Sequence, residues 1–338
     1  MMRKQFETSG RRAFLKTLSA GALSLAVSRV GESEGTRPLR GVFPIGQTPF
    51  TEDDKLDLDL LGGEVKFCNR YKVHGFAWPQ IASGWTTLSE QERLSGAEAI
   101  LAAGKGGKTA LIIGVQTQGN DVAKAVMYAK HAAKNGADGV ISLPPENADD
   151  KAMIGYYKTI GAATDLPLMV QSQGSMSVDL VVEMAKQIPT MKAVKDEAGD
   201  PLSRVTQIIE RTSGKLAVFS GNGVRTMIDE MRLGFSGHCP YTVLSDFYAA
   251  AFDLWHAGKH REAFDMFGRM QAFNSITGAS SNYLLVMRGI FRETTKTRGN
   301  AGGGSGRGAR GASGPLDEAT KKALRDAWDE FMKPYLRG

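Results

Sequence analysis

Lys195 is the first residue in this sequence with distinctive chemistry. It closes the run Met191-Lys192-Ala193-Val194-Lys195, where strand alternation puts Met191, Ala193 and Lys195 on one face and Lys192 on the other. A lysine turned into apolar surroundings loses the hydration of its charge, which lowers its pKa and supplies a neutral amine. Such an amine attacks a ketone and condenses to a Schiff base, and the protonated imine then stabilises a carbanion on the next carbon. The alternative for the same position is a lysine simply paired with Asp196 or Glu197 at its strand end.

The other polar residues that punctuate the apolar runs are mainly amides and hydroxyls: Gln47 and Thr48, Gln80 to Ser83, Gln116 to Gln118, Glu146, Gln171 to Gln173, Asn222 and His238. That inventory suits a polar organic ligand. It contains no His-Glu-x-x-His motif, Asp pair or cysteine cluster, so neither a metal nor a cofactor is expected. Cys68 and Cys239 are the only two cysteines, too few for a disulfide framework, and are expected as free buried thiols.

Strands must bring these residues together. Eight short β-like runs, Gly41–Gln47, Val73–Trp78, Thr109–Val115, Gly139–Leu143, Pro167–Ser172, Met191–Lys195, Leu216–Ser220 and Gly234–His238, alternate with helical patterns. The helices are Leu56–Asn69, Ser89–Ala103, Asp121–Asn135, Lys151–Ala163, Val178–Gln187, Leu202–Arg211 and Val224–Leu233. Ser89-Glu90-Gln91-Glu92 spells a capping box, and Gly136 follows a helix as a stop. This alternation predicts an α/β fold, a closed (β/α)8 TIM barrel over 41–245, whose site gathers at the C-terminal strand ends. An open doubly wound sheet is the alternative; it lacks the Gly-x-Gly-x-x-Gly that a dinucleotide fold carries after its first strand. Additional C-terminal helices fill 246–298. Residues 299–314 hold eight glycines with Arg307 and Arg310 and read as a flexible loop. Residues 315–338 resume as an amphipathic helix with Leu316, Ala319, Leu324, Trp328 and Phe331 on its apolar side.

The chain of 338 residues has 42 Lys or Arg against 36 Asp or Glu, a net charge of +6, with 42 % hydrophobic and 23 % charged residues. This excludes a wholly disordered or collagen-like chain. The basic excess lies mostly in 1–28, where Arg3, Lys4, Arg11, Arg12 and Lys16 face Glu7, and at Arg298, Arg307 and Arg310. The remainder is close to neutral, so nucleic acid is not an expected partner. Arg11-Arg12 precede Phe14-Leu15-Lys16, an apolar run from Leu18 to Val27, and small residues near Ala26-Val27-Ser28. The layout resembles a twin-arginine export signal, with a linker over 29–40, and predicts a periplasmic protein without stable membrane insertion after cleavage. The run is short of the roughly 20 residues of an ordinary span; an uncleaved anchor is the alternative.

From about Gly41 to Phe291 the chain resembles the dihydrodipicolinate synthase / N-acetylneuraminate lyase family. The resemblance rests on Gly41-Val42-Phe43-Pro44 with Thr48-Pro49-Phe50, Thr87-Leu88-Ser89 with Glu92-Arg93, Ile113-Gly114-Val115, Gly136-Ala137-Asp138-Gly139, Leu166-Pro167, Val194-Lys195-Asp196 with Gly199-Asp200, and Ser220-Gly221-Asn222. It implies a TIM barrel, a Schiff base on Lys195, a small-molecule 2-keto acid substrate, an aldolase or dehydratase type of lyase reaction, and a homo-oligomer, dimer or tetramer. It also implies departures. The family's Gly-Thr-Thr-Gly-Glu is replaced by Gln80-Ile81-Ala82-Ser83-Gly84-Trp85, so Ser83 and the amides around Ala82 are expected to hold the substrate carboxylate. Its catalytic tyrosines are replaced by Gln171-Ser172 and by Pro144-Pro145-Glu146, which disfavours true dihydrodipicolinate synthase activity. Glu146 becomes the leading proton-transfer candidate and needs partial burial for that role, with His238 and then Glu197 behind it. Gln171, in the place of the family's tyrosine, is expected as a catalytic residue that acts by hydrogen bonding, and Thr48, Gln173, Asn222 and His238 as substrate contacts. A sugar-derived acid suits these amides. A barrel that binds such an acid without turnover is the competing reading.

Overall fold

The computed structural model describes residues 37–221, 224–279, 281–298 and 316–336. Eight parallel strands form the sheet: β1 (Gly41–Val42), β2 (Gly75–Trp78), β3 (Ala110–Gly114), β4 (Gly139–Ser142), β5 (Leu168–Ser172), β6 (Met191–Asp196), β7 (Ala217–Ser220) and β8 (Gly237–His238). From β2 to β8 each pairs with its sequence neighbour, β1 pairs with β8, and a parallel bridge between Ile45 and Ala77 joins the β1 side to β2. The result is a TIM barrel. Strands of a parallel sheet are covered on both faces and so read as continuous apolar runs. Alternation then sorts them into two layers. Ile45, Ala77, Ile112, Ile141, Met169, Ala193, Phe219 and Cys239 fill the inside, while Trp78, Ile113, Val140, Val170, Val194 and Val218 face the helices.

The barrel helices are α1 (Leu58–Arg70), α2 (Glu90–Ala103), α3 (Val122–Lys134), α4 (Asp150–Gly161), α5 (Val178–Gln187), α6 (Pro201–Arg211), α7 (Met227–Arg232) and α8 (Ser245–His256). The first six start at side-chain caps. Ser89 Oγ accepts from Glu92 N–H at 3.2 Å while Glu92 Oε2 accepts from Ser89 N–H at 2.9 Å, completing the expected capping box. Asp121, Asp149, Ser177 and Asp200 cap α3 to α6, each cap contributing about 1 kcal/mol. Gly136 takes φ +84 and ends α3 as expected. Beyond the barrel lie α9 (His260–Asn274), α10 (Tyr283–Met287) and α11 (Glu318–Ala327).

Several expectations change in detail. Met191 joins the outer layer instead of sharing a face with Lys195. The cause is a bulge: Leu168 and Met169 pair with Met191 and Ala193, so exposed Lys192 is the extra residue and alternation restarts after it. The helix expected from Val224 begins at Met227, because Val224 sits at φ +53. The C-terminal helix turns to π geometry over Trp328–Met332 and to a 3-10 turn over Lys333–Tyr335. Arg37, assigned to the linker, is anchored under the barrel by Asp138 Oδ2 at 2.7 Å and the Gly107 carbonyl. Cys68 and Cys239 are buried and free, in the outer and inner layers respectively. The segment 1–28, most of the linker 29–40 and the loop 299–314 lie outside the described residues. Among the described residues no helix is long and apolar enough to cross a membrane.

Candidate active site

The register of β5 on β6 sets Gln171 beside Lys195, both pointing inward above Met169 and Ala193. Lys195 is buried, and its Nζ lies 2.9 Å from Glu197 Oε1. The other oxygen, Glu197 Oε2, accepts from Gln171 Nε2 at 2.7 Å and from Gln173 Nε2 at 3.0 Å. The Glu197 backbone N–H donates to the Ser172 carbonyl, which carries the β5–β6 ladder one residue past the strand. Asp196 turns the other way, into a two-bond contact with Arg204 at 2.8 and 3.0 Å. Of the two acids after Lys195, Glu197 is therefore its partner. Gly221, at the end of β7, makes the room: a Cβ there would fall on Glu197 Oε1 and Lys195 Cε.

The electrostatics correct one expectation. Burial is the largest single influence and disfavours the Lys195 ammonium, as the sequence suggested. The adjacent Glu197 carboxylate, together with smaller contributions from Cys239 and Tyr241, outweighs it and holds the amine above the usual lysine range. Burial likewise works against the Glu197 carboxylate, and Lys195 with the two glutamine amides holds it below its ordinary value. The resting state is an ion pair. Cys239, below it in the barrel, is pushed up to about 12 by burial and stays a neutral thiol.

Around this pair stands a ring of amides. Gln80 Nε2 donates to Gln116 Oε1 at 3.0 Å, and Gln116 Nε2 to the Pro79 carbonyl at 2.7 Å. Arg93 reaches under β3 to the carbonyls of Gly114 and Gln116 at 2.7 and 2.5 Å and lies over the Tyr128 ring. Gln47, Gln80 and Gln171 each use their NH2 on a carbonyl or carboxylate acceptor, which fixes the amide orientation. Their buried Oε1 atoms have no partner among the described residues.

A cavity of about 140 Å³ is lined by residues that include Trp85, Gln116, Asn120, Glu146, Tyr156 and Gln173. Gln173 also donates to Glu197, which links the cavity wall to the Lys195–Glu197 pair. Tyr156 enters from α4, its hydroxyl 2.9 Å from Ser142 Oγ, with burial raising its pKa. Sequence reasoning passed over Tyr156, because a tyrosine inside a helical run signals only a buried face. Glu146 lines the rim but is exposed; Asn120 holds it through its backbone N–H and carbonyl at 2.7 and 2.8 Å. The partial burial expected of Glu146 is not there, since two prolines precede it in a surface turn.

The remaining candidates divide. Ala82 packs against the inner layer, and its N–H is in the first turn of a 3-10 helix, Ile81–Ser83, where no intrahelical acceptor exists. Ser83 and Thr48 do not face a ligand. Ser83 Oγ donates to the Gly46 carbonyl at 2.6 Å, and Thr48 Oγ1 donates to the Ser83 carbonyl at 2.6 Å while accepting from Trp78 Nε1 at 3.0 Å. Their protons are committed to holding the β1 and β2 ends together. His238 points outward from β8, between Phe235 and Phe252, 2.8 Å from Glu230 Oε2. It cannot touch a substrate at the mouth, because Cys239 takes the inward position next to it. Asn222 lies outside the described residues. Among those residues no group of His, Cys, Asp or Glu could hold a metal ion.

Comparison with known proteins fits this geometry. The profile of the Dihydrodipicolinate synthetase family matches residues 38–295. The 4-hydroxy-tetrahydrodipicolinate synthase of Methanosarcina mazei is 30% identical over 195 residues, covering 55% of this chain and 65% of that protein. The chain thus spans just under two thirds of the length of the first curated relatives it matches. Among solved structures, dihydrodipicolinate synthase from Rhodopseudomonas palustris superposes with a TM-score of 0.72 at 20% identity, covering 87% of this chain and 99% of that one. A prophage protein of the dihydrodipicolinic acid synthase family from E. coli K12, solved in complex with pyruvate, gives 0.71 at 18% identity, covering 87% and 98%.

Proposed function

The chain belongs to the Dihydrodipicolinate synthetase family, and from that premise we propose that it is a class I aldolase-type lyase that captures a 2-keto acid as a Schiff base on Lys195. One observation carries the reading: a buried lysine at the C-terminal end of a barrel strand, 2.9 Å from a carboxylate that accepts from Gln173, a residue in the wall of a cavity of about 140 Å³. A lysine held there has a desolvated path to a neutral amine once its partner takes the proton. The pyruvate complex of the E. coli relative supports a 2-keto acid as the captured group. The amides of Gln116, Asn120 and Gln173 in the cavity wall support a hydroxyl-rich, sugar-derived acid, because they offer hydrogen-bond donors and acceptors to substrate hydroxyls. Aldol cleavage and dehydration both use the same imine. The N-terminal twin-arginine-like segment supports export to the periplasm, and family membership supports a homo-oligomer.

The test is reductive trapping. The mature protein is incubated with pyruvate and with a panel of 2-keto sugar acids, treated with borohydride, and digested for peptide mass spectrometry. An adduct on the Lys195 peptide is expected. A second reading, a keto-acid binder without turnover, is favoured by one observation: the amine rests as an ammonium paired to Glu197. Ligand binding with no adduct from any keto acid would select it.

A further inference from the structure

We propose that Glu197 is the catalytic acid–base of the Lys195 chemistry, performing the proton transfers for which the strand-end tyrosines of the family are missing. The inference rests on the Schiff-base reading of Lys195 and adds the group that moves its protons.

The two oxygens of Glu197 have different duties. Oε1 touches the reacting atom, Lys195 Nζ, at 2.9 Å. Oε2 is held by two amide donors, Gln171 and Gln173, so the carboxylate cannot swing away without losing both bonds. Its side chain is 19% exposed against 6% for Lys195, which makes Glu197 the more accessible member of the pair. No second carboxylate competes among the described partners of Lys195. Asp196 is bound to Arg204, and Glu146 sits exposed on the rim. The other titratable groups that face the amine are Cys239, inside the barrel, and Tyr241, just beyond β8.

Proton affinity at Glu197 follows the charge on the lysine nitrogen. While nitrogen is cationic, the carboxylate is favoured. Once nitrogen is neutral, burial is uncompensated and the carboxyl form is favoured. Each chemical step uses that swing. The Lys195 ammonium passes one proton to Oε1, and the neutral amine attacks the ketone carbon; the C–N bond forms and the carbonyl π pair goes to oxygen. The alkoxide gains a proton and the attacking nitrogen loses one through the same carboxyl. Glu197 then protonates the carbinolamine hydroxyl, which leaves as water as the C=N bond forms, and Glu197 is again a carboxylate beside an iminium. In aldol cleavage it takes the proton of the substrate hydroxyl two carbons from the iminium carbon. The intervening C–C bond breaks into an aldehyde and an enamine. The carboxylic acid returns that proton to the enamine carbon, and hydrolysis with one water reverses the first steps. No redox partner enters.

The experiment compares wild type with Glu197→Gln, Glu197→Asp and Tyr241→Phe, using pyruvate for borohydride trapping and 2-keto-3-deoxy sugar acids for turnover. Wild type is expected to trap on Lys195. Glu197→Gln keeps the shape and an acceptor for the ammonium; it is expected to reach the same trapped end point slowly, with turnover down on the order of 10²-fold or more. Its rate should lose the acid limb of the pH profile, and the limb set by the amine should move to lower pH, because the charge that holds the amine protonated is gone. Glu197→Asp should recover part of the rate and restore the acid limb. A wild type that traps while Glu197→Gln keeps full turnover and an unchanged pH profile would overturn the assignment and leave the Schiff base standing. So would loss of turnover in Tyr241→Phe with Glu197→Gln unaffected. A wild type that never traps overturns the Schiff-base reading, and this inference with it. If Glu197→Gln does not fold, Glu197→Asp with an unaltered pH profile serves as the overturning result.

Discussion

Lys195–Glu197 and His238–Glu230 are both buried contacts of a carboxylate with a nitrogen base, 2.9 and 2.8 Å long, on opposite faces of the same sheet. In each the carboxylate is disfavoured by burial and rescued by its cationic or hydrogen-bonding partners, ending below its ordinary pKa. Their surroundings differ. Glu197 shares its second oxygen with two amides, of which Gln173 also lines a cavity. Glu230 is closed in by the hydroxyls of Ser220 and Thr226 at 2.8 and 2.7 Å, with both its own side chain and His238 0% exposed. The His238 ring lies between Phe235 and Phe252, and its Nε2 has no partner among the described residues. On the proposed reading, the same chemistry of an acid beside a base serves reaction on the inside of the sheet and structure on the outside. What separates them is a route for a ligand, which residue type and burial do not encode.

The largest effect that sharpens this contrast is Lys195→Ala. It should abolish the borohydride adduct and lower turnover on the order of 10³-fold or more, as removal of a nucleophile does. A Lys195→Ala protein that still traps keto acid on another lysine would erase the distinction between the two faces.

Glu230→Ala breaks the other member. Removing one partner of a fully buried pair leaves the second uncompensated, for a loss of about 3–5 kcal/mol in urea unfolding. The protein that remains folded should still trap keto acid on Lys195. The pH dependence has a definite sign. Glu230 is held below its usual 4.5, so its stabilisation is present above that value and is lost as pH falls through the lower folded pKa. The Glu230→Ala variant should therefore lose less stability than wild type on acidification.

The outer layer holds a third buried carboxyl without a cation. Glu64, on α1, accepts the Gln47 N–H with both oxygens at 3.1 Å, and burial raises it to about 8. For a folded pKa above the unfolded one, stability is full below about 4.5 and declines as pH rises to about 8. Glu64→Gln keeps one acceptor for Gln47 and an amide donor where the protonated acid has its hydroxyl. It should be more stable than wild type by roughly 2–4 kcal/mol at pH 9, with little difference at pH 5. Equal stability of the two at pH 9 would mean that Glu64 is not strongly desolvated.

How far the sequence foretold this molecule depends on the kind of signal. The barrel was legible because eight apolar runs, capping residues such as Ser89 and stops such as Gly136 are local and repeat. Lys195 was legible because alternation and the resemblance agreed on it. The direction of its pKa was not. That depends on which of Asp196 and Glu197 turns inward, and the choice is made by Arg204 on α6, eight residues on. Ser83 and Thr48 looked like ligand contacts because a hydroxyl in a loop is free in sequence; in space each closes on a carbonyl of another segment. His238 failed for a related reason: with only two residues in β8, the sequence offered no alternation to tell which neighbour faces in.

The smallest effect belongs to Glu146, which sequence reasoning ranked first for proton transfer. Its backbone is pinned by Asn120 and its carboxylate stands exposed at the cavity rim. An exposed carboxylate is well hydrated and interacts weakly with a charge or hydroxyl nearby, by up to about 1 kcal/mol. Glu146→Gln should therefore change KM for a 2-keto sugar acid by no more than roughly fivefold. It should leave the rate of adduct formation with pyruvate, which is too short to reach the rim, as in wild type. The split matters because a proton-transfer residue would do the reverse, lowering the rate with both substrates and leaving KM alone. A large drop in the pyruvate trapping rate in Glu146→Gln would move the acid–base centre from the Lys195–Glu197 pair to the rim. It would also make the inner pair as structural as the outer one.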